Sequence, residues 1–262
     1  MEILNHLFGV SGKTVLITGG GRGIGESIAE GFVRAGAIVH ICSRKPETCA
    51  ETAERLSRFG TCIALPCPAD VGTREGRAAI VGEISARAPK LDILINNAGA
   101  LWAAPLAEYP ESGWDKVFDL NVKGLFFLIR DLVPLLAEAG TKDRPARIIN
   151  IGSIDAFHIP MHEIYAYTSS KAAAMQLSIH LASQLAPRHV NVNVIAPGVF
   201  PSKMTQGTIE RLGEETMAGK VPLNRLTSGD DMAGTALFLA SHAASYITGA
   251  VIPVDGGAAT TR

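Results

Sequence analysis

Thr14-Val15-Leu16-Ile17-Thr18-Gly19-Gly20-Gly21-Arg22-Gly23-Ile24-Gly25 is the stretch that decides the fold. A buried, β-branched strand over Thr14–Thr18 runs straight into a glycine cluster. A helical pattern through Ile28, Ala29, Phe32 and Val33 follows it. Glycines at such a place let the backbone turn tightly and approach a pyrophosphate, which the free N–H groups at the helix start then hold. A glycine cluster alone marks no more than a tight strand-to-helix turn. With this strand before it and this helix after it, the cluster predicts a dinucleotide site formed by Gly19, Gly21, Arg22, Gly23, Ile24 and Gly25.

The same alternation extends along the chain. Residues 38–42 form a second strand, followed by a charged helix from Pro46 towards Phe59, with proline at the first turn, where a helix tolerates it. Residues 62–65, 93–95, 147–151, 190–195 and 251–254 supply five more strands, and helical patterns lie between them, notably at 73–88, 114–136, 164–185 and 230–240. Seven strands alternating with helices predict an α/β fold. The expected architecture is one doubly wound, seven-stranded parallel sheet of Rossmann type with helices on both faces. No repeat, low-complexity segment or Pro/Ser-rich linker interrupts the sequence, so residues 1–262 read as a single domain. The least regular stretch, 200–228, carries mixed charges and three glycines and reads as a mobile flap over a site.

Composition narrows the function class. A chain of 262 residues buries roughly 70–75% of its unfolded surface, so it needs no disulfide or metal staple. Lys and Arg number 24 against 25 Asp and Glu, a formal net charge of −1 that offers nothing to attract nucleic acid. Apolar runs such as 125–129 fall far short of the ~20 residues of a membrane span. The start of the chain lacks a signal-peptide pattern, which predicts a soluble, cytoplasmic protein with no membrane partner. Cys42, Cys49, Cys62 and Cys67 form no C-x-x-C pair and read as free buried thiols, with no metal site.

The end of the second strand selects the dinucleotide. An NAD site places Asp or Glu about 20 residues on, where it bonds the ribose 2′-hydroxyl. Here Ser43, Arg44 and Lys45 occupy that place, and Arg22 lies in the glycine turn. A carboxylate would repel a 2′-phosphate, whereas these cations and a hydroxyl would hold one, so the cofactor expected is NADP.

Tyr167 and Lys171 stand four apart near the start of a helix and share a face. An adjacent ammonium stabilises phenolate and is expected to lower the tyrosine pKa from its free value of about 10. Ser153, after the 147–151 strand, offers a hydroxyl to a polarised carbonyl oxygen. Asn121 offers an amide that holds a water linking the lysine to solvent. Each alone has a plain alternative, because Tyr–Lys pairs at this spacing and loop Ser and Asn are common.

Together these motifs resemble the short-chain dehydrogenase/reductase family, of the single-domain type, over essentially the full chain. The family's glycine turn is matched by Thr18 to Gly25 and its adenine-contacting acid by Asp70-Val71. Its Asn-Asn-Ala-Gly element is matched by Asn96-Asn97-Ala98-Gly99. Pro197-Gly198-Val199 matches the element bordering nicotinamide, with Ser202 where the family usually has threonine, and Asp255-Gly256-Gly257 closes the chain. The resemblance implies four catalytic residues. Tyr167 would donate a proton to a carbonyl, Ser153 would orient it, Lys171 would tune Tyr167 and bond the nicotinamide ribose, and Asn121 would complete a proton relay. It also implies a homotetramer built on the helices near 114–136 and 164–185. Tyr165 is a decoy, because it faces about 200° around the helix from Tyr167 and lacks a lysine at i+4.

His158 and His162 are separated by Pro160 and read as loop residues rather than a metal pair. Trp102, Phe157, Ile159, Met161 and Met204 lie in loops expected to ring the nicotinamide, and Trp102, Phe157 and Met204, with Ser153, are the expected substrate contacts. Stretches 112–117, 146–153, 191–198 and 200–205 are similar to family members that reduce 3-oxoacyl groups. That likeness implies reduction of a 3-oxoacyl thioester to a 3-hydroxyacyl product. Two alternatives stand beside it: an NADP-dependent reductase of another small ketone, sugar or cyclic alcohol, and a non-catalytic NADP-binding sensor.

Overall fold

The computed structural model describes residues 2–160 and 162–261. The strands are β1 (Thr14–Thr18), β2 (Ile38–Cys42), β3 (Thr61–Ala64), β4 (Ile93–Asn96), β5 (Ala146–Ile151), β6 (Val190–Pro197) and β7 (Val251–Val254). The α-helices are α1 (Glu2–Phe8), α2 (Gly23–Arg34), α3 (Pro46–Leu56), α4 (Arg74–Arg87), α5 (Glu111–Phe118), α6 (Leu125–Ala139), α7 (Tyr165–Leu185), α8 (Gln206–Leu212), α9 (Glu214–Ala218) and α10 (Gly229–Ala240). The strands form one sheet in the order β3-β2-β1-β4-β5-β6-β7, and every neighbouring pair is parallel.

Strand side chains alternate between two covered faces, which is why the strands read as continuous apolar runs. Val15, Ile17, Ile41 and Ile95 pack with Phe32 of α2, Leu56 of α3 and Leu239 of α10. Leu16, Leu94, Ile148 and Val192 pack on the other face with Ile84 of α4, Leu128 of α6 and Ala174 of α7. All four cysteines are free and buried. The chain leaves β1 towards β2 on one side and β4 on the other, so a crevice opens at the carboxyl ends of β1 and β4, where strand order reverses.

Two expectations need correction. The helix expected over 114–136 spans α5 and α6, joined by a π-helical turn at Asp119–Gly124 that contains Asn121. The stretch 200–228 is not irregular throughout, because two short helices, α8 and α9, lie within it. Gly213, at φ +81°, separates these short helices, and Phe200, Val221 and Leu226 anchor the stretch in the interior. Short helices broken by glycine leave no sustained apolar period for sequence reading to find. Among the described residues no helix is long and apolar enough to cross a membrane.

Candidate active site

The glycine turn lies in the crevice and has no room for side chains. Gly19 adopts φ +67°, and a Cβ there would stand 2.8 Å from Asn97 Nδ2. A Cβ on Gly25 would fall 2.4 Å from the Gly19 carbonyl oxygen. The bare backbone is therefore required here by the protein's own packing as well as by any phosphate. Arg22 takes an extended conformation at the start of α2, and no side chain caps that helix, so its first N–H groups stay open to an anion. Asn97 braces the turn from β4: its Nδ2 donates to the carbonyls of Thr18 at 3.0 Å and Gly19 at 3.1 Å. These features fit a dinucleotide pyrophosphate.

Ser43, Arg44 and Lys45 stand at the carboxyl end of β2, with both cations exposed and no carboxylate on that strand end. Ser43 Oγ donates to the Lys45 carbonyl at 2.8 Å and receives the Cys49 thiol at 3.3 Å. Asp70 accepts the Gly72 N–H at 2.9 Å, and the buried Arg77 holds the Val71 carbonyl at 2.9 Å. Across the crevice, a Cβ on Gly23 would lie 3.7 Å from the Ser202 side chain, which brings Ser202 beside the glycine turn. Gly198 donates to the Val254 carbonyl at 3.0 Å, and a Cβ on it would strike Asp255 at 2.9 Å. Ala98 and Gly99 continue from β4 along the crevice floor, where a Cβ on Gly99 would stand 3.5 Å from Asn121 Oδ1 and 3.6 Å from Lys171 Nζ.

The four expected chemical residues converge. Tyr167 and Lys171 lie in the first two turns of α7, and Lys171 Nζ sits 5.6 Å from the Tyr167 ring centre. Lys171 is buried and donates to the Ile151 carbonyl at 2.7 Å. Asn121 accepts the Ala100 N–H at 2.8 Å, and its two amide protons go to the Ala100 carbonyl at 2.9 Å and Ser170 Oγ at 3.0 Å. That leaves one Oδ1 lone pair for a further partner. Ser170 in turn donates to the Tyr167 carbonyl at 2.8 Å, which ties the π-helical turn to α7.

The expected lowering of the Tyr167 pKa by Lys171 is not what the surroundings produce. Burial pushes the phenol up to about 12; the Ser153 hydroxyl pulls it down and Asp155 pushes it further up. Burial pushes Lys171 down to about 8. One of the three ammonium donors of Lys171 goes to the Ile151 carbonyl, and burial, the largest cause acting on both groups, decides the direction of each shift.

Tyr165 points elsewhere, donating to Glu163 at 2.7 Å and meeting Tyr109 edge-on at 5.7 Å. Trp102 is turned to α5: a Cβ on Gly113 would lie 2.8 Å from its ring, and Lys116 Nζ stands 5.3 Å from it. Phe157 and Met204 are exposed on crevice loops, as is Ile159 at 90%. Met161 lies outside the described residues. His158 and His162 are exposed on the same loop. Sequence reading placed Thr18 at the head of the glycine turn but gave no role to its hydroxyl, which accepts the N–H groups of Asn97 and Ala98, and it missed Arg77 and Asp155. Only their tertiary contacts give these residues roles.

A family model described as enoyl-(acyl carrier protein) reductase matches residues 19–259. The rhamnolipids biosynthesis 3-oxoacyl-[acyl-carrier-protein] reductase of Pseudomonas aeruginosa is 48% identical, over 97% of this chain and 99% of that protein. The 2-dehydro-3-deoxy-D-gluconate 5-dehydrogenase of Pseudoalteromonas atlantica is 36% identical, over 95% and 97%. Among solved structures, the Pseudomonas aeruginosa RhlG/NADP active-site complex superposes with a TM-score of 0.92 at 45% identity, covering 97% of this chain and 99% of that one. L-Sorbose reductase of Gluconobacter frateurii, complexed with NADPH and L-sorbose, superposes with a TM-score of 0.88 at 31% identity, covering 97% and 99%.

Proposed function

The chain belongs to the short-chain dehydrogenase/reductase family, and from that premise we propose that it is an NADPH-dependent reductase of a 3-oxoacyl thioester. Residues 1–262 serve as one NADP-binding domain in this reading. The observation that carries it is the convergence of Ser153, Tyr167, Lys171 and Asn121 at the carboxyl edge, beside a glycine turn whose strand partner ends in Ser43-Arg44-Lys45. The likeness to the 3-oxoacyl-[acyl-carrier-protein] reductase supports the substrate class, as do the exposed apolar side chains of Phe157, Ile159 and Met204 on the crevice loops.

The residues fit the cofactor. Gly19, Gly21, Gly23, Ile24 and Gly25 would hold the pyrophosphate; Arg22, Ser43, Arg44 and Lys45 the 2′-phosphate; Asp70 and Val71 the adenine. Asn97, Ala98, Gly99, Pro197, Gly198, Val199 and Ser202 would border the nicotinamide half, with Lys171 reaching its ribose. Bound NADPH supplies a hydride for the carbonyl carbon. Ser153 donates a hydrogen bond to the carbonyl oxygen, which favours the charge that develops there. Tyr167 gives that oxygen its proton. Lys171, still largely protonated at neutral pH, supplies positive charge near the phenol as it loses that proton. The free lone pair of Asn121 positions a water by which the site is reprotonated.

In this reading the protein is cytoplasmic, acts in lipid metabolism and assembles as a homotetramer through α5–α6 and α7. The exposed Trp114 and Ile179 on those helices support the last point. The test is NADPH oxidation with 3-oxoacyl thioesters of increasing length. Each buried methylene is worth about 0.8 kcal/mol, so efficiency should climb about fourfold per added carbon. A flat series with turnover of a sugar or small ketone instead would remove the acyl assignment. Tyr167→Phe should abolish turnover and leave NADPH binding in place, and survival of turnover would sink the catalytic reading.

A further inference from the structure

Ser153 has one proton and more than one claimant. Its Oγ accepts the Asp155 backbone N–H at 3.2 Å, and it donates to the Asp155 carboxylate Oδ2 at 3.3 Å. The reaction needs that same proton for the substrate carbonyl, and it is also the proton that favours the Tyr167 phenolate. A carboxylate bonded to it therefore competes with both.

We propose that Asp155 is a positioning residue for reduction: its carboxyl group determines whether the Ser153 hydroxyl proton is held within the protein or released to the carbonyl. The proposal rests on the reductase reading above. When Asp155 is ionised, the Ser153 proton points at Oδ2. When Asp155 is protonated, its own O–H donates to Ser153 Oγ. The serine then accepts two hydrogen bonds, from the Asp155 N–H and O–H, and turns its proton to the substrate, so its capacity of one donor and two lone pairs is filled. No proton leaves the pair.

The surroundings favour the protonated carboxyl more than water does. Burial raises the Asp155 carboxyl above its ordinary range, the Ser153 hydrogen bond lowers it, and the charges of His158 and His162 lower it further. Those two histidines face it from the loop before α7, and Tyr167 faces it from α7 itself. The Lys171 ammonium on that helix is bonded to Ile151. The Asp155 charge in turn raises Tyr167, so one group acts on both the polarising hydroxyl and the proton donor.

Asp155→Asn tests this, because its amide donates to Ser153 as a protonated carboxyl would. Wild type should gain reductive kcat/KM as pH falls through the Asp155 titration. The variant should show no such rise and should exceed wild type at neutral pH by about three- to tenfold, the worth of one hydrogen bond. The phenolate absorbance of Tyr167, assigned by difference from Tyr167→Phe, should appear at lower pH in the variant. This second readout needs neither substrate nor cofactor, and repeating it in a Ser153→Ala background separates the hydroxyl from the bare Asp155 charge, which also raises Tyr167: an Asp155→Asn shift that persists undiminished without the hydroxyl overturns the proposal. An unchanged Tyr167 titration, or a variant that keeps the acid rise and matches wild type within twofold at neutral pH, overturns the proposal. If the variant does not fold, absence of the acid rise in wild type overturns it alone. Failure of wild type to reduce any carbonyl would instead refute the reductase reading, while the phenolate titration would still report on Asp155.

Discussion

Thr18→Val removes one oxygen at the point where the crevice is assembled. Thr18 is 1% exposed, and its hydroxyl accepts the N–H groups of Asn97 at 3.1 Å and Ala98 at 3.0 Å. Valine keeps the β-branched shape, so no cavity forms and the strand propensity is unchanged. Two backbone donors lose their acceptor. An orphaned buried donor costs about 1–3 kcal/mol, and since both bonds are only partly buried the low end applies to each, about 2 kcal/mol in all. For a chain of this size that is a fall of about 4–8 °C in Tm. Urea unfolding should show the lower midpoint with an unchanged m-value. The loss should also reach the site, because Asn97 holds the carbonyls of Thr18 and Gly19. NADPH affinity should therefore drop along with stability. A variant within about 0.5 kcal/mol of wild type, the usual range for surface substitutions, and with unaltered NADPH affinity would show that these bonds do not brace the turn.

Three other outcomes follow from the same geometry. Gly25→Ala places a methyl 2.4 Å from the Gly19 carbonyl oxygen and 2.5 Å from Asn97 Nδ2; it should weaken NADPH binding at least about tenfold by overpacking, and fluorescence titration giving wild-type affinity would contradict this. Ser43→Asp puts a carboxylate beside the expected 2′-phosphate, so the ratio of NADPH to NADH efficiency should fall by about tenfold or more; an unchanged ratio would locate the phosphate elsewhere. Lys171 is pushed down to about 8 while Tyr167 is pushed up to about 12. Below about pH 8 the ammonium is present, and as pH rises through that value it is lost while the phenol keeps its proton. Reductive kcat/KM should decline with an inflection near 8, and a profile level to pH 10 would refute that assignment.

The fold was legible because a parallel sheet covered on both faces writes itself as short apolar runs. β1, β2 and β7 begin and end where the sequence places them, and the other four strands differ by one or two residues at one or both ends. α8 and α9 escaped notice because helices of seven and five residues divided by Gly213 carry too little period. The π-helical turn at Asp119–Gly124 escaped for a different reason. One extra residue in a turn shifts the apolar register by less than the tolerance of the pattern, yet it is what carries the Asn121 amide to Ala100 and Ser170.

The site divides along the same line. Spacing four residues apart guarantees that Tyr167 and Lys171 share a helix face, but it says nothing of how deeply the pair is buried or what else the ammonium bonds. The Ile151 carbonyl, brought by β5 to 2.7 Å, accepts from one of its three donors, and burial moves the two pKa values apart in directions opposite to those a bare Tyr–Lys pair in water would show. Asp155 has the same character: two residues from Ser153 it reads as an ordinary loop acid, and only the turn after β5 folds its carboxylate back onto the hydroxyl. What the chain order reveals is therefore which groups are candidates for the site. Which group holds each proton is decided by burial and by the carbonyls and carboxylates that the fold brings alongside, and that is why the decisive measurements on this protein are titrations of Asp155, Tyr167 and Lys171 rather than further substitutions among the glycines.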